Sequence, residues 1–146
     1  MAEPAESLRL LAAQLRGEET PISLHVVDPS EAPTLGELAA AGPRTAAAPA
    51  EYALTVESVR EGYLLHYGRS RLLAGHDADL GLLAGDYLYA LGLDRLARLG
   101  DVTAVAILAD LISRCAQFHT EHREDEVPAL WDAAVHAIAG TQPQTL

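Results

Sequence analysis

Apolar residues recur at helical spacing along most of the chain. Leu8, Leu11 and Leu15 stand at i, i+3 and i+7, which predicts a short amphipathic helix over residues 5–16, with Pro4 near its first turn and Gly17 near its end. Tyr52, Val56, Val59, Tyr63, His66, Ser70 and Leu73 mark one face of a second helix, which Gly75 is expected to end. A third is predicted from an N-cap at Asp77 or Asp79 to Leu99, with Gly100 just past its end. Leu80, Leu82, Leu83, Tyr87, Leu88, Leu91, Leu93 and Leu96 cover nearly the whole circumference of that helix. A helix apolar on all sides is expected at the centre of a bundle. Asp101 then caps a fourth helix with Val105, Leu108, Leu111 and Ile112 facing inward, and a last helix begins near Pro128 and stops at Gly140.

Between the first two helices the pattern breaks. Residues 21–50 hold Pro21, Pro29, Pro33, Pro43 and Pro49, with room for an extended stretch at 22–27 and a two-turn helix at 34–41. The rest reads as an irregular arm, either unordered alone or laid on a neighbouring chain. The expected organisation is therefore an N-terminal helix and Pro-rich arm (1–50), an all-α helical bundle (51–140) and a loose tail (141–146).

Ala- and Leu-rich composition with only 5% aromatic residues suits close-packed helices better than a sheet. The formal net charge of −11 argues against nucleic acid and anionic membrane surfaces as partners. Every cation is an arginine; without lysine, Schiff-base chemistry and a phosphate-loop lysine are excluded. The single cysteine, Cys115, cannot form an intrachain disulfide, and the acidic N-terminus lacks the pattern of a signal peptide. No long apolar window is free of charge, so no membrane span is expected, and a cytoplasmic location is the default.

The inward stripe of the fourth helix continues through Cys115, His119, His122 and Glu126, which fall within roughly 60° of one another. His119, His122 and Glu126 would then be metal-ligand candidates, although no matching Glu-x-x-His occurs on another helix; the alternative is a polar helix end reaching solvent or pairing with arginines. Asp86, in the most apolar helix, is expected to be buried against a partner such as Arg69, Arg71 or a hydroxyl. His76, Asp77 and Asp79 are explained by capping, and Glu124, Asp125 and Glu126 by a solvated turn. No catalytic triad, glycine-rich phosphate loop or CxxC pattern is present, and no cofactor is implied.

The stretch Leu83-Ala84-Gly85-Asp86, followed by Leu99-Gly100-Asp101 at the turn into the next helix, resembles the trans-isoprenyl diphosphate synthases, the polyprenyl synthetase family. The resemblance spans roughly residues 52–121 and implies helices that form part of an isoprenoid-synthase bundle around a prenyl cavity. The family's Asp-Asp-x-x-Asp clusters have no counterpart, so no catalytic residue carries over. The expectation is a non-catalytic helical subunit or accessory protein, assembling with itself as a homo-oligomer or with a partner protein. Tyr63, His66, Leu83, Asp86, Tyr87, Leu111 and Cys115 are its interface or ligand candidates. Two alternatives stay open: a binder of an isoprenoid- or quinone-like apolar molecule between Tyr63, Leu83, Tyr87 and Leu111, and a metal-binding bundle.

Overall fold

Side-chain caps open two long, neighbouring helices of the chain. The computed structural model describes residues 2–143, and among them the chain is all-α. The helices are α1 (Ser7–Gly17), α2 (Thr34–Ala40), α3 (Pro49–Tyr67), α4 (Ala78–Leu99), α5 (Val102–Thr120) and α6 (Val127–Ala139). Asp77 accepts a hydrogen bond from the Leu80 amide at 2.8 Å and opens α4; Asp101 does the same for α5 through Ala104 at 3.0 Å. Gly100 (φ 82°) and Gly140 (φ 80°) close α4 and α6 in the left-handed conformation that glycine adopts without strain. Of the tail at 141–146, residues 144–146 lie outside the described residues.

The central helix is α3, not α4. Tyr52 to Val59 are buried without interruption, as are Glu61 and Gly62. α4 instead turns Gly81, Ala84, Gly85, Leu88, Gly92 and Leu96 inward, while Leu82 and Leu83 are 48% and 64% exposed. The reason is backbone approach. A Cβ on Gly62 would stand 2.8 Å from the Gly85 carbonyl oxygen, and one on Gly92 2.7 Å from Val59 Cγ2. Small residues must occupy this seam, which displaces the leucines to the outer faces. α3 also ends at Tyr67, before Ser70, Leu73 and Gly75.

Residues 21–50, expected to be unordered or spread over another chain, pack on this chain's own core. α2 lies against α3 and α6. The Thr45 hydroxyl donates to the Ala39 carbonyl at 2.7 Å and is fully buried. Ile22 joins Leu73 and Ala84 in a small apolar cluster, and backbone bonds Val27–Leu72 and Ala74–His25 fasten the two loops together. The prolines are accommodated because short helical turns begin at them, notably Pro43–Thr45 and α3 at Pro49. The main core joins Val56 and Val59 of α3, Leu108 and Leu111 of α5, and Trp131, Val135 and Ile138 of α6. α1 closes the other side with Leu8, Leu11 and Leu15 against Leu54, Leu72 and Leu88.

Asp101 ties several of these parts together. Besides capping α5, it accepts from the Tyr52 hydroxyl at 2.6 Å and pairs with Arg44, which also donates to the Ile138 carbonyl. Partial burial disfavours its charged form, but the bonds from Tyr52, Ala104 and Arg44 outweigh that and hold its pKa below the usual carboxylate range. Asp101→Ala should therefore cost about 1–2 kcal/mol at neutral pH. A folded-state pKa lowered in this way gives stability that is present above the unfolded pKa and lost as pH falls through the folded one. The gap between wild type and Asp101→Ala, followed by denaturant unfolding, should thus narrow below about pH 4.

Candidate functional site

The strongest concentration of buried charge sits on α3. Glu57 and Glu61, one helical turn apart, are both fully buried, and Arg71 reaches both from the loop after α3. Arg71 Nη1 lies 2.7 Å from Glu57 Oε1 and Nε lies 2.8 Å from Glu61 Oε2. Glu57 Oε2 also accepts from the Gly36 amide at 2.7 Å, and Glu61 Oε1 accepts from the Arg71 amide and the Ser70 hydroxyl. Desolvation pushes the Glu57 pKa up despite the opposing guanidinium and amide. At Arg71 the balance is reversed: burial alone would lower its pKa, but two carboxylates raise it. The cluster fastens α2 and the 70–73 loop to the central helix. Beside it, the Arg60 guanidinium lies over the rings of Tyr63 and Trp131, at 5.1 and 4.9 Å from their centroids. Burial and neighbouring Arg71 lower the Arg60 pKa.

Asp86 is not the buried carboxylate expected from the sequence. Its side chain is 70% exposed and pairs with His66 Nε2 at 3.0 Å, rather than with Arg69, Arg71 or a hydroxyl. His66 in turn stacks on Tyr89. Asp86→Ala should therefore change stability by less than about 0.5–1 kcal/mol, read from a denaturant midpoint at neutral pH. A loss of several kcal/mol would restore the buried role.

The metal-ligand candidates do not converge, because α5 stops at Thr120. Beyond it His122 takes a left-handed conformation (φ 58°) with its side chain 90% exposed, and Glu126 is held by Arg123 at 2.7 Å. His119 meets the Tyr63 hydroxyl through Nε2 at 2.7 Å and stacks on Tyr67 with centroids 4.0 Å apart. Cys115 is buried in the main core, where desolvation pushes its thiol up to about 11. Among the described residues no group of His, Cys, Asp and Glu side chains has metal-binding geometry.

Nor do Tyr63, Leu83, Tyr87 and Leu111 enclose a common space. Leu111 is buried in the core between α3, α5 and α6, and Tyr63 packs against that same core through its aromatic contacts with Tyr67, His119 and Trp131, apart from Leu83 and Tyr87. Leu83 points outward from α4, and the Tyr87 hydroxyl donates to Glu18 beside α1. Burial first, then that bond, pushes the Tyr87 pKa up to about 12.

The outward side of α4 carries one stripe through Leu83, while Leu82 and Leu99 stand about 100° and 160° from it around the helix. Leu83, Tyr87, Ala90, Asp94 and Ala97 run down the exposed side of α4, with Leu82 and Asp86 flanking them. Leu99 and Val102, 40% and 74% exposed, bracket the turn into α5. From there Thr103, Ala106, Ala109, Ser113 and Ala116 continue along the exposed side of α5. The hairpin thus presents a few exposed apolar side chains and alanines, interleaved with Asp94, Arg98, Asp110 and Arg114, over roughly 30 Å, the length of a helix such as α4. No family model, curated protein or solved structure matches the chain.

The Glu57–Glu61–Arg71 cluster escaped sequence reading, although a signal was present. Two carboxylates four residues apart within an apolar stretch, followed by Arg69-Ser70-Arg71, are what a buried ion network requires. An amphipathic reading sends such charges to the surface. Among the described residues no helix is long and apolar enough to cross a membrane.

Proposed function

We propose that the protein is a non-catalytic helical subunit that docks onto another protein through the outward face of the α4–α5 hairpin. The observation that carries this reading is the exposure of Leu82, Leu83, Leu99 and Val102 on a single hairpin, flanked by residues small enough for a partner helix to approach closely. Isolated surface leucines are ordinary; Leu83 and Tyr87 beside alanines on α4, with Val102 leading into the alanines of α5, fit an interface.

Charge favours a different protein over a second copy. Two chains of net charge −11 repel one another, and self-pairing through this face would bring the Asp86 and Asp94 rows toward their own counterparts. A complementary surface carries an apolar centre with lysine or arginine at its rim. Size exclusion with light scattering on the purified chain tests that preference. The expected result is a monomer at micromolar concentration. A stable dimer that Val102→Glu dissociates would keep the face but make the partner a second copy.

A further inference from the structure

In an acid-rich chain every arginine has carboxylates available, so an arginine without one is unexpected. Arg16, Arg44, Arg71, Arg95, Arg98, Arg114 and Arg123 all make ion pairs. Among the described residues Arg9, Arg60 and Arg69 make none, and all three stand along one cleft. Arg60, Arg69 and Arg71 line a cavity of about 420 Å³ between α2, α3 and the loop after α3. Arg9 lines an adjoining cavity of about 350 Å³, and the two share Glu31 and Ala32 as wall.

One more guanidinium nitrogen lies buried beneath this cleft, out of reach of its open space. The Arg71 side chain is only 9% exposed, and its Nη2 has no hydrogen-bond partner although Nη1 and Nε are both engaged. The acids on the walls are Glu31 and Glu37, both exposed, and Glu57, whose Oε2 accepts from the Gly36 amide and whose Oε1 lies 2.7 Å from Arg71 Nη1 but makes no hydrogen bond. Leu35, Leu64 and Ala32 supply apolar wall, and each cavity has the volume of a small-molecule site.

We propose that this cleft binds a small oxyanion-bearing molecule, a phosphate monoester or a carboxylate, with Arg60 and Arg69 as its principal donors and Arg9 at the outer end. A guanidinium offers two parallel N–H donors matched to either oxyanion, and Arg60 is held ready by its stack on Tyr63 and Trp131. The ligand's uncharged portion rests against Leu35 and Leu64. The site is built from α2, α3 and their loops, so it operates independently of the α4–α5 docking face.

Trp131 is the chain's single tryptophan and lies directly beneath Arg60, which makes its fluorescence the readout. The full chain is titrated at low, constant ionic strength with inorganic phosphate, phenyl phosphate and succinate, with sodium chloride as control. The expected result is a saturable fluorescence change with at least one oxyanion and none with chloride; the stronger of phenyl phosphate and succinate names the preferred headgroup. Arg69→Gln should weaken binding at least about ten-fold, the effect of removing one charge-assisted hydrogen bond. Because Arg69 is exposed and unpaired, its replacement should leave the melting temperature unchanged. Glu31→Gln should tighten binding by removing a competing negative charge, and Arg98→Gln, away from the cleft, should have no effect. No saturable response to any of the three oxyanions, or equal affinity in the Arg69→Gln and Arg98→Gln proteins, would overturn the proposal.

Discussion

Replacing Arg71 by methionine should destabilise the protein by about 3–5 kcal/mol at neutral pH, enough to unfold much of it at physiological temperature. The change removes one cation and leaves the Glu57 and Glu61 carboxylates on the central helix, both fully buried. Neither can regain water without pulling α2 or the 70–73 loop away from α3. The variant should also acquire a distinctive pH profile. Glu57 already has a pKa raised by desolvation, and losing the guanidinium that opposes this raises it further. A raised folded-state pKa gives stability that is present at low pH and lost as pH rises through that value. Arg71→Met should thus recover part of its deficit between about pH 7 and pH 5, and adding Glu57→Gln should recover part of it at neutral pH. Urea unfolding across that range reads both. A variant as stable as wild type at neutral pH would mean that the cluster is solvated.

The second large effect belongs to the seam between α3 and α4. Gly62→Val should cost about 2–3 kcal/mol, even though valine is a better helix former than glycine. A Cβ at position 62 meets Tyr89 Cδ1 at 2.7 Å and the Gly85 carbonyl oxygen at 2.8 Å, and a backbone atom cannot swing aside as a side chain can. Gly17 provides the contrast, because a Cβ there meets nothing within 4 Å. Gly17→Ala should be neutral or slightly stabilising through the gain in helix propensity. Thermal melts of the two variants compare steric closeness with propensity at first hand, and similar melting temperatures would show that α3 and α4 are less tightly apposed.

These two sites also show where sequence reading succeeds and where it stops. Four helix ends were legible because a cap is a local event: Asp77, Gly100, Asp101 and Gly140 act on backbone groups within a few residues, whereas the ends of α3 and α5 carry no such signal and were missed. Which helix lies at the centre was not legible. Leucine content pointed to α4, yet close approach of two backbones selects glycine and alanine, so its leucines were displaced outward. α3 carries glutamates that look like a solvent face until Arg71 is seen to meet them. The arm at 21–50 misled for a related reason, since its anchors (the Gly36 amide and Arg44) are polar groups bonded to distant residues and leave no apolar period. The proposed metal face failed at a boundary: His122 and Glu126 share a stripe with Cys115 only if α5 continues past Thr120.

The docking role proposed for the α4–α5 hairpin is tested most directly by recovering the protein from its native cells with whatever it binds. Leu83 and Val102 are changed together to glutamate, and Leu24, which is 87% exposed on a different part of the surface, is changed to glutamate as the control. All three positions are exposed, so each variant should fold with an unchanged melting temperature. Wild type and Leu24→Glu should retain the same partner at constant stoichiometry, and the Leu83→Glu, Val102→Glu protein should lose it. Equal recovery of that partner with all three proteins would show that the α4–α5 face is not the docking surface.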